Sequence, residues 1–269
     1  MISLRLALRM LARDWRAGEL TVLGIALMLG VAALTSVGFL TDRVEQALRL
    51  QSHQLLGGDL LLTADHPWPD AFRQEAAARG LRLAESATFP SMVSLGDAAV
   101  LAEIKAVSPG YPLRGSLRTA TVLNAADEPT SRVPQGGEAW PDERLATSLG
   151  LGAGTSLAVG RITVQSGPIL TMEPDRGMNV FALAPRLMIN LGDLPATGLI
   201  QPGSRAYYRL HLAGEAATVA GFEAWAKDRL GRGEKIESLD NARPEIRNVT
   251  ERAQRFLRLA ALLAVILAA

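Results

Sequence analysis

The stretch Leu20–Leu40, "LTVLGIALMLGVAALTSVGFL", decides how the rest of the chain is read, because its 21 residues hold no ionisable side chain. At about 1.5 Å of rise per residue, a helix of that length spans a hydrocarbon core of roughly 30 Å. The pattern predicts a transmembrane helix over 19–41. Its glycines, Gly24, Gly30 and Gly38, suit a membrane helix, where small residues allow close helix approach. Gly24 and Gly30 lack four-residue spacing, so no dimer face is read from them. Arg5, Arg9, Arg13 and Arg16 precede the run, and Asp42, Arg43 and Glu45 follow it. Positive charge stays inside, so the N-terminus is expected in the cytoplasm and residues from 41 onward outside. A cleaved signal peptide fits less well. The basic leader is long, the apolar run exceeds the usual length of about 7–15, and "TSVGFLTD" is a poor cleavage site.

Residues 1–18 carry a second pattern. The four arginines recur at spacings of four, four and three, and Leu4, Leu8, Leu11 and Trp15 form an adjacent apolar stripe. This predicts an amphipathic helix at the cytoplasmic headgroup level, with Trp15 as an interfacial anchor. At the other end "FLRLAALLAVILAA" (Phe256–Ala269) is apolar but too short to cross a bilayer. We read 257–269 as the start of a second transmembrane helix, cut short.

Composition excludes several classes of function. The 269 residues carry a net charge of +1, with no basic excess to mark a nucleic-acid binder. There is no Cys, which removes disulfides, thiolate metal sites and Cys nucleophiles.

Between the apolar runs lies ordinary globular sequence. An outgoing stalk helix is expected over 42–57, with Val44, Ala47, Leu48 and Leu55 on one face and Gly57-Gly58 as its stop. A returning stalk helix is expected over 244–256, with Ile246, Val249, Ala253 and Phe256 on one face and Pro244 at its start. "DLLLTA" reads as a strand and "PDAFRQEAAARG" as a helix; "LRLAESATFPSMVSLG" and "AAVLAEIKAVS" read as strands meeting at Gly96-Asp97. Later "SRAYYRLHLAG", "EAATVAGFEAWAKDRLG" and "EKIESLD" repeat strand, helix, strand. Residues 58–113 and 204–243 are therefore expected to pack as one α+β subdomain. Over 114–203 Gly and Pro punctuate short strands ("TATVLNA", "TSLAVGRITVQSG") around a helix "DERLATSLG", which predicts a mostly β inserted subdomain.

No motif in this chain carries bond chemistry. "GLGAG" (Gly150–Gly154) lies between a helix and a strand, the wrong order for a dinucleotide fingerprint, and reads as a turn. There is no GxxxxGK[ST] loop and no GxSxG elbow. His53, His66 and His211 have no metal spacing, and Ser52 and His53 are helix neighbours that do not face each other. "EPDRG" (Glu173–Gly177) has turn chemistry; a functional reading would make Arg176 a docking or ion-pair residue. Trp68 and Trp140, each beside a Pro, read as packing residues, with a partner surface as the rival reading. No catalytic, cofactor-binding or metal-binding residue is expected.

The strings "RDWRAGELTVLGIALMLGVAALTSVGFLTDRV", "QLLGGDLLL", "GYPLRGSLRT" and "EPDRGMNVFALAPRLMINLGDLPATGLIQPGSRAYYRL" resemble the FtsX-like permease subunits of ABC transporters. They resemble most the YbbP group, which is associated with a lysophospholipase/thioesterase. The resemblance covers nearly the whole chain. It implies the macrolide-exporter (MacB-like, type VII) plan: a first membrane helix, a periplasmic domain of porter-like and β-rich subdomains, then further membrane helices, of which this chain, as an N-terminal fragment, would carry only the first and the start of the second. It also implies a separate cytoplasmic ATPase whose ATP-driven closure is passed along the stalk to the periplasmic domain. From this follow an inner-membrane location and a hydrophobic or lipid-like cargo. The implied partners are the ATPase, membrane lipid and a periplasmic thioesterase or lysophospholipase, and no nucleic acid. A single-span, membrane-anchored periplasmic binding or scaffold protein is the alternative, and a membrane-anchored hydrolase a third reading, which the scarcity of histidine argues against.

Overall fold

The computed structural model describes residues 57–178, 184–201 and 203–238, and single helical positions at 25, 28, 31, 32, 35, 36, 38, 39, 43, 252 and 255. The chain divides into two compact units, Met1–Arg49 with Arg243–Ala269, and Leu50–Ala242. In the first unit, the expected amphipathic helix 1–18, the stalk-face residues Leu48 and Val249, and the second apolar run 257–269 lie outside the described residues, as does His53 of the intervening segment. Within 19–41 the described positions are helical; Ile25, Met28, Val31 and Phe39 are exposed large apolar side chains, and Arg43 lies over the Phe39 ring. Among the described residues no helix is long and apolar enough to cross a membrane.

The second unit is built on a nine-stranded sheet. Its strands are β1 (Leu60–Ala64), β2 (Arg82–Leu95), β3 (Ala98–Val107), β6 (Glu138–Pro141), β7 (Ser156–Val159), β8 (Ile162–Ser166), β10 (Arg186–Asn190), β11 (Tyr207–Ala213) and β12 (Lys235–Ser238), in the order β12-β1-β11-β2-β3-β10-β6-β8-β7. β2 also pairs with β7, through Val93 opposite Val159. The last six strands therefore close into a barrel, while β12, β1 and β11 extend from its wall as an open sheet. A smaller sheet holds β4 (Leu117–Ala120), β5 (Glu128–Thr130) and β9 (Ile169–Met172). Strands within 114–203 thus share one hydrogen-bonded sheet with β2 and β3. The reason is the length of those two strands: at 14 and 10 residues they run through both the open sheet and the barrel.

Period-two alternation sorts the side chains. On β3, Ile104 and Ala106 enter the barrel core with Phe89, Val93, Leu157, Val164, Leu187 and Ile189. The open sheet buries Leu60, Leu62, Leu210 and Leu212 under helices α1 (Asp70–Ala78) and α4 (Ala216–Lys227), which contribute Phe72, Ala76, Val219, Phe222 and Ala226. A side chain such as Phe222, fully buried, stabilises by about 1.5–3 kcal/mol relative to exposure. Trp68 meets Phe72 edge-on at 4.8 Å and donates Nε1–H to Tyr208 O; Trp140 is 1% exposed. Both tryptophans are therefore packing residues, and the partner-surface reading is corrected.

Helix α2 (Glu143–Leu149) shows local sequence logic at both ends. The Asp142 carboxylate accepts from Leu145 N at 2.8 Å, and Gly150 closes the helix at φ 62°, a left-handed conformation that favours glycine. A short helix α3 (Leu194–Thr197) caps the barrel beside the β7–β8 hairpin. "TATVLNA" does not form a full strand: β4 ends at Ala120 and the chain then turns, with Asn124 at φ 61°. Val122 is left 58% exposed, so no core contact holds that end in the sheet.

Candidate functional site

The opposite face of β2, β3, β10 and β11 is polar, and all of it but the partly exposed Arg209 is buried. Glu103 and Lys105 of β3, Arg186 of β10, Ser86 and Thr88 of β2, and Arg209 and His211 of β11 all lie on it. Alternation alone would turn these residues to solvent. They are covered by Tyr111, from the loop after β3, and by Glu173 and Asp175, from the turn after β9.

Lys105 has no exposed surface. Its Nζ donates to Glu173 Oε1 at 2.5 Å, to both Asp175 oxygens at 2.6 and 2.7 Å, and to Tyr111 Oη at 2.7 Å. The Tyr111 hydroxyl donates to Asp175 Oδ1 at 2.5 Å, with Glu173 Oε1 at 3.1 Å. The Arg186 guanidinium bridges Glu173 and Glu103. Arg209 Nη1 reaches Asp175 Oδ2 at 3.4 Å. Three cations (Lys105, Arg186, Arg209) thus face three carboxylates (Glu103, Glu173, Asp175). Balance is what makes such burial tolerable, since one unpaired charge in a dry interior costs several kcal/mol.

Electrostatics follow from that packing. Burial would raise the Asp175 carboxyl, but Lys105, then Arg209 and His211, outweigh it and hold the group well below the carboxylate range. Burial, then the Asp175 and Glu173 charges, push the Tyr111 phenol well above its usual value, so it stays a donor. Burial disfavours the Arg186 cation, yet Glu173 and Glu103 hold it charged. Arg186 Nε, Arg209 Nε and Thr88 Oγ1 are buried without a hydrogen-bond partner among the described residues. The layer therefore has donors to spare.

"EPDRG" is a turn, as its composition predicts, but not a surface one. Residues Pro174–Met178 form a 3-10 helix, and its Asp175 and the preceding Glu173 are both buried. Arg176 is the ion-pair residue of the rival reading: its Nη2 donates to Asp142 Oδ2 at 2.6 Å and to Ala184 O at 3.1 Å. It thereby ties the turn to the N-cap of α2. "GLGAG" is a turn too, with Gly154 N donating to Ser166 O.

The histidines separate. His66 sits between two carboxylates, Nδ1 2.8 Å from Asp65 and Nε2 3.1 Å from Glu234. The Asp65 hydrogen bond raises its pKa; partial burial opposes this and Glu234 adds to it. His211 is fully buried, its Nε2 3.0 Å from Ser86 Oγ and its ring edge-on to Tyr111 at 5.3 Å. This Ser–His proximity was not legible in the sequence. Ser86 is only 2% exposed, so the pair is sealed from solvent and from any substrate in this conformation. Among the described residues no group of His, Asp and Glu is arranged to hold a metal ion. Lys105, Tyr111, Glu103 and Arg186 were missed altogether. The available signal was isolated charges on otherwise apolar strands, "AEIKAV" and "APRLMIN".

No protein-family model matches the chain. It is 36% identical over 256 residues to an uncharacterised ABC transporter permease, YbbP, of Escherichia coli strain K12, a match covering 95% of this chain. The chain is similar to this permease along nearly its whole length. It spans 31% of that relative's length. Among solved structures it is similar to the periplasmic region of MacB from Actinobacillus actinomycetemcomitans, at TM-score 0.46 and 10% identity, covering 73% of this chain and 96% of that one. The extracellular domain of the noncanonic ABC-type transporter YknZ from Gram-positive bacteria gives TM-score 0.45 and 9% identity, covering 66% and 100%.

Proposed function

We propose that this chain is the coupling part of an ABC transporter permease in a bacterial inner membrane. In this reading 19–41 spans the membrane and the N-terminus with its amphipathic helix, 1–18, is cytoplasmic. Stalk helices over 42–57 and 244–256 carry an exported body made of a porter-like part (58–113 and 204–243) and a β-rich part (114–203). A separate cytoplasmic ATPase supplies the motion, and the cargo is hydrophobic or lipid-like, with membrane lipid and a periplasmic thioesterase or lysophospholipase as further partners. The chain itself makes and breaks no bonds.

The observation that carries this reading is the permease match along 95% of the chain. The body supports it: it joins the other unit through two connections, at 49–50 and 242–243, and β1 and β12, the strands nearest them, are hydrogen-bonded neighbours. A body held at two adjacent strands is suited to receive a relative movement of its two supports. The test is ATP turnover by the purified permease with and without its cognate ATPase. Turnover is expected only with the ATPase present. Hydrolysis of ATP or of a lipid ester by the permease alone, abolished by His211→Gln, would favour the hydrolase reading. Cytoplasmic activity of a reporter fused near Ala125 would overturn the topology.

A further inference from the structure

The loop that reaches into the buried charge layer is also bonded to the segment just before β1. Leu113 N and Arg114 N both donate to Gly57 O, at 2.9 and 3.3 Å. The Arg114 guanidinium forks onto Asp59, Nε to Oδ1 at 2.9 Å and Nη2 to Oδ2 at 2.7 Å. Asp59 Oδ2 also accepts from Gly214 N at 3.1 Å. Three residues before Arg114 in the same loop, Tyr111 is 1% exposed and places its hydroxyl on Asp175 and Glu173. One end of this loop is therefore pinned to Gly57–Asp59, and the other to the turn Glu173–Arg176.

We infer that Tyr111–Arg114 is a relay, passing displacement of the Gly57–Asp59 connection to the turn Glu173–Arg176 and, through Arg176, to the N-cap of helix α2. This rests on the coupling reading above and names the residues that take up the motion inside the body.

Three features suit the loop to the role. Its links are charge-assisted and directional, so a shift at one end displaces bonded atoms at the other. Its levers are stiff: the Arg114 fork is planar, and the Tyr111 ring is wedged edge-on against His211 with Lys105 Nζ 4.5 Å from its centroid. The receiving turn lies outside every sheet ladder and is held by side chains, Lys105, Tyr111 and Arg186 on its carboxylates and Asp142 on Arg176. Spare donors on Arg186 and Arg209 offer the two carboxylates a second set of pairings. An element with two discrete arrangements is what coupling between distant points requires.

The test is backbone hydrogen exchange on the intact permease with its ATPase partner in lipid nanodiscs, with and without a non-hydrolysable ATP analogue. In the wild type, nucleotide is expected to change exchange at 174–178 by at least about threefold. In Tyr111→Phe and in Arg114→Ala that response is expected to disappear, while the response of β1 persists. The Arg114 side chain is 40% exposed, so its truncation opens no cavity and serves if the Tyr111 variant folds poorly. A wild-type response at 174–178 in Arg114→Ala and in folded Tyr111→Phe overturns the relay, even where melting temperatures fall. No nucleotide response anywhere in 57–238 of the wild type overturns the coupling reading, and the relay with it.

Discussion

Leu60 of β1 lies directly opposite Ser238 of β12 in an antiparallel ladder that continues to Thr63 and Lys235. Among the described residues these are the first and last strands in chain order, so the two ends of that run are held side by side. Thr63 Oγ1 adds a bond to Glu237 at 3.2 Å.

That register is directly testable, because the chain has no Cys of its own. Cysteines at Thr63 and Lys235 should crosslink under mild oxidation, since Cα atoms facing each other across such a ladder lie about 4.5–5.5 Å apart, within disulfide range. A shifted electrophoretic band under non-reducing conditions is the readout. Crosslinking at 63 with 236 but not with 235 would show a one-residue slip.

Lys105→Met leaves Glu173 and Asp175 facing each other without their central cation. Removing one partner of a buried ion set costs about 3–5 kcal/mol. Urea denaturation should show a loss of that order. A change below about 1 kcal/mol would place the Lys105 ammonium at a solvated surface instead.

The His66 clasp makes stability depend on pH with a defined sign. Its folded pKa is raised, by Asp65 first and then Glu234. The contribution is therefore fully present below the unfolded histidine value of about 6.5 and is lost as pH rises through the folded value. At the acid end, the His66 hydrogen bond lowers the Asp65 pKa, so that part is present above about 3.8 and fades as pH falls through the folded value. His66→Gln should cost stability near pH 5 and little at pH 9, read as the difference in melting temperature from wild type. An equal difference at both pH values would count against the clasp.

Gly160 closes the β7–β8 hairpin at φ 60°, and a Cβ there would lie 2.2 Å from Thr197 O and 2.8 Å from Leu199 Cγ. Backbone cannot yield as a flexible side chain does, so Gly160→Ala must open the hairpin or displace α3. A loss of roughly 1–3 kcal/mol in equilibrium unfolding is expected. Gly96→Ala, whose Cβ meets nothing within 4 Å, carries the positive φ without the clash and should cost less.

Much of the local structure was legible in the sequence. The helix in "PDAFRQEAAARG", the hairpin about Gly96-Asp97, the Asp142 cap with its Gly150 stop, and the strand–helix–strand run from Tyr207 to Ser238 all follow from near-neighbour chemistry. So did the long apolar stretch at Leu20–Leu40, whose length and lack of charge need no tertiary context. The similarity to the permease rests on long strings of residues and was legible for the same reason.

Only the tertiary structure decided what becomes of the polar face of β3. On a strand, Glu103 and Lys105 alternate with Ile104 and Ala106, and the local rule sends them to water. Their cover arrives from Glu173 and Asp175, whose bonds to Lys105 span 68 and 70 residues of chain. No local pattern encodes a partner at that separation. Barrel closure has the same origin, since β2 meets β7 more than 60 residues later through Val93 and Val159. Periodicity reports which side of a strand is apolar; only the folded chain decides whether its other side meets water or a second layer of protein.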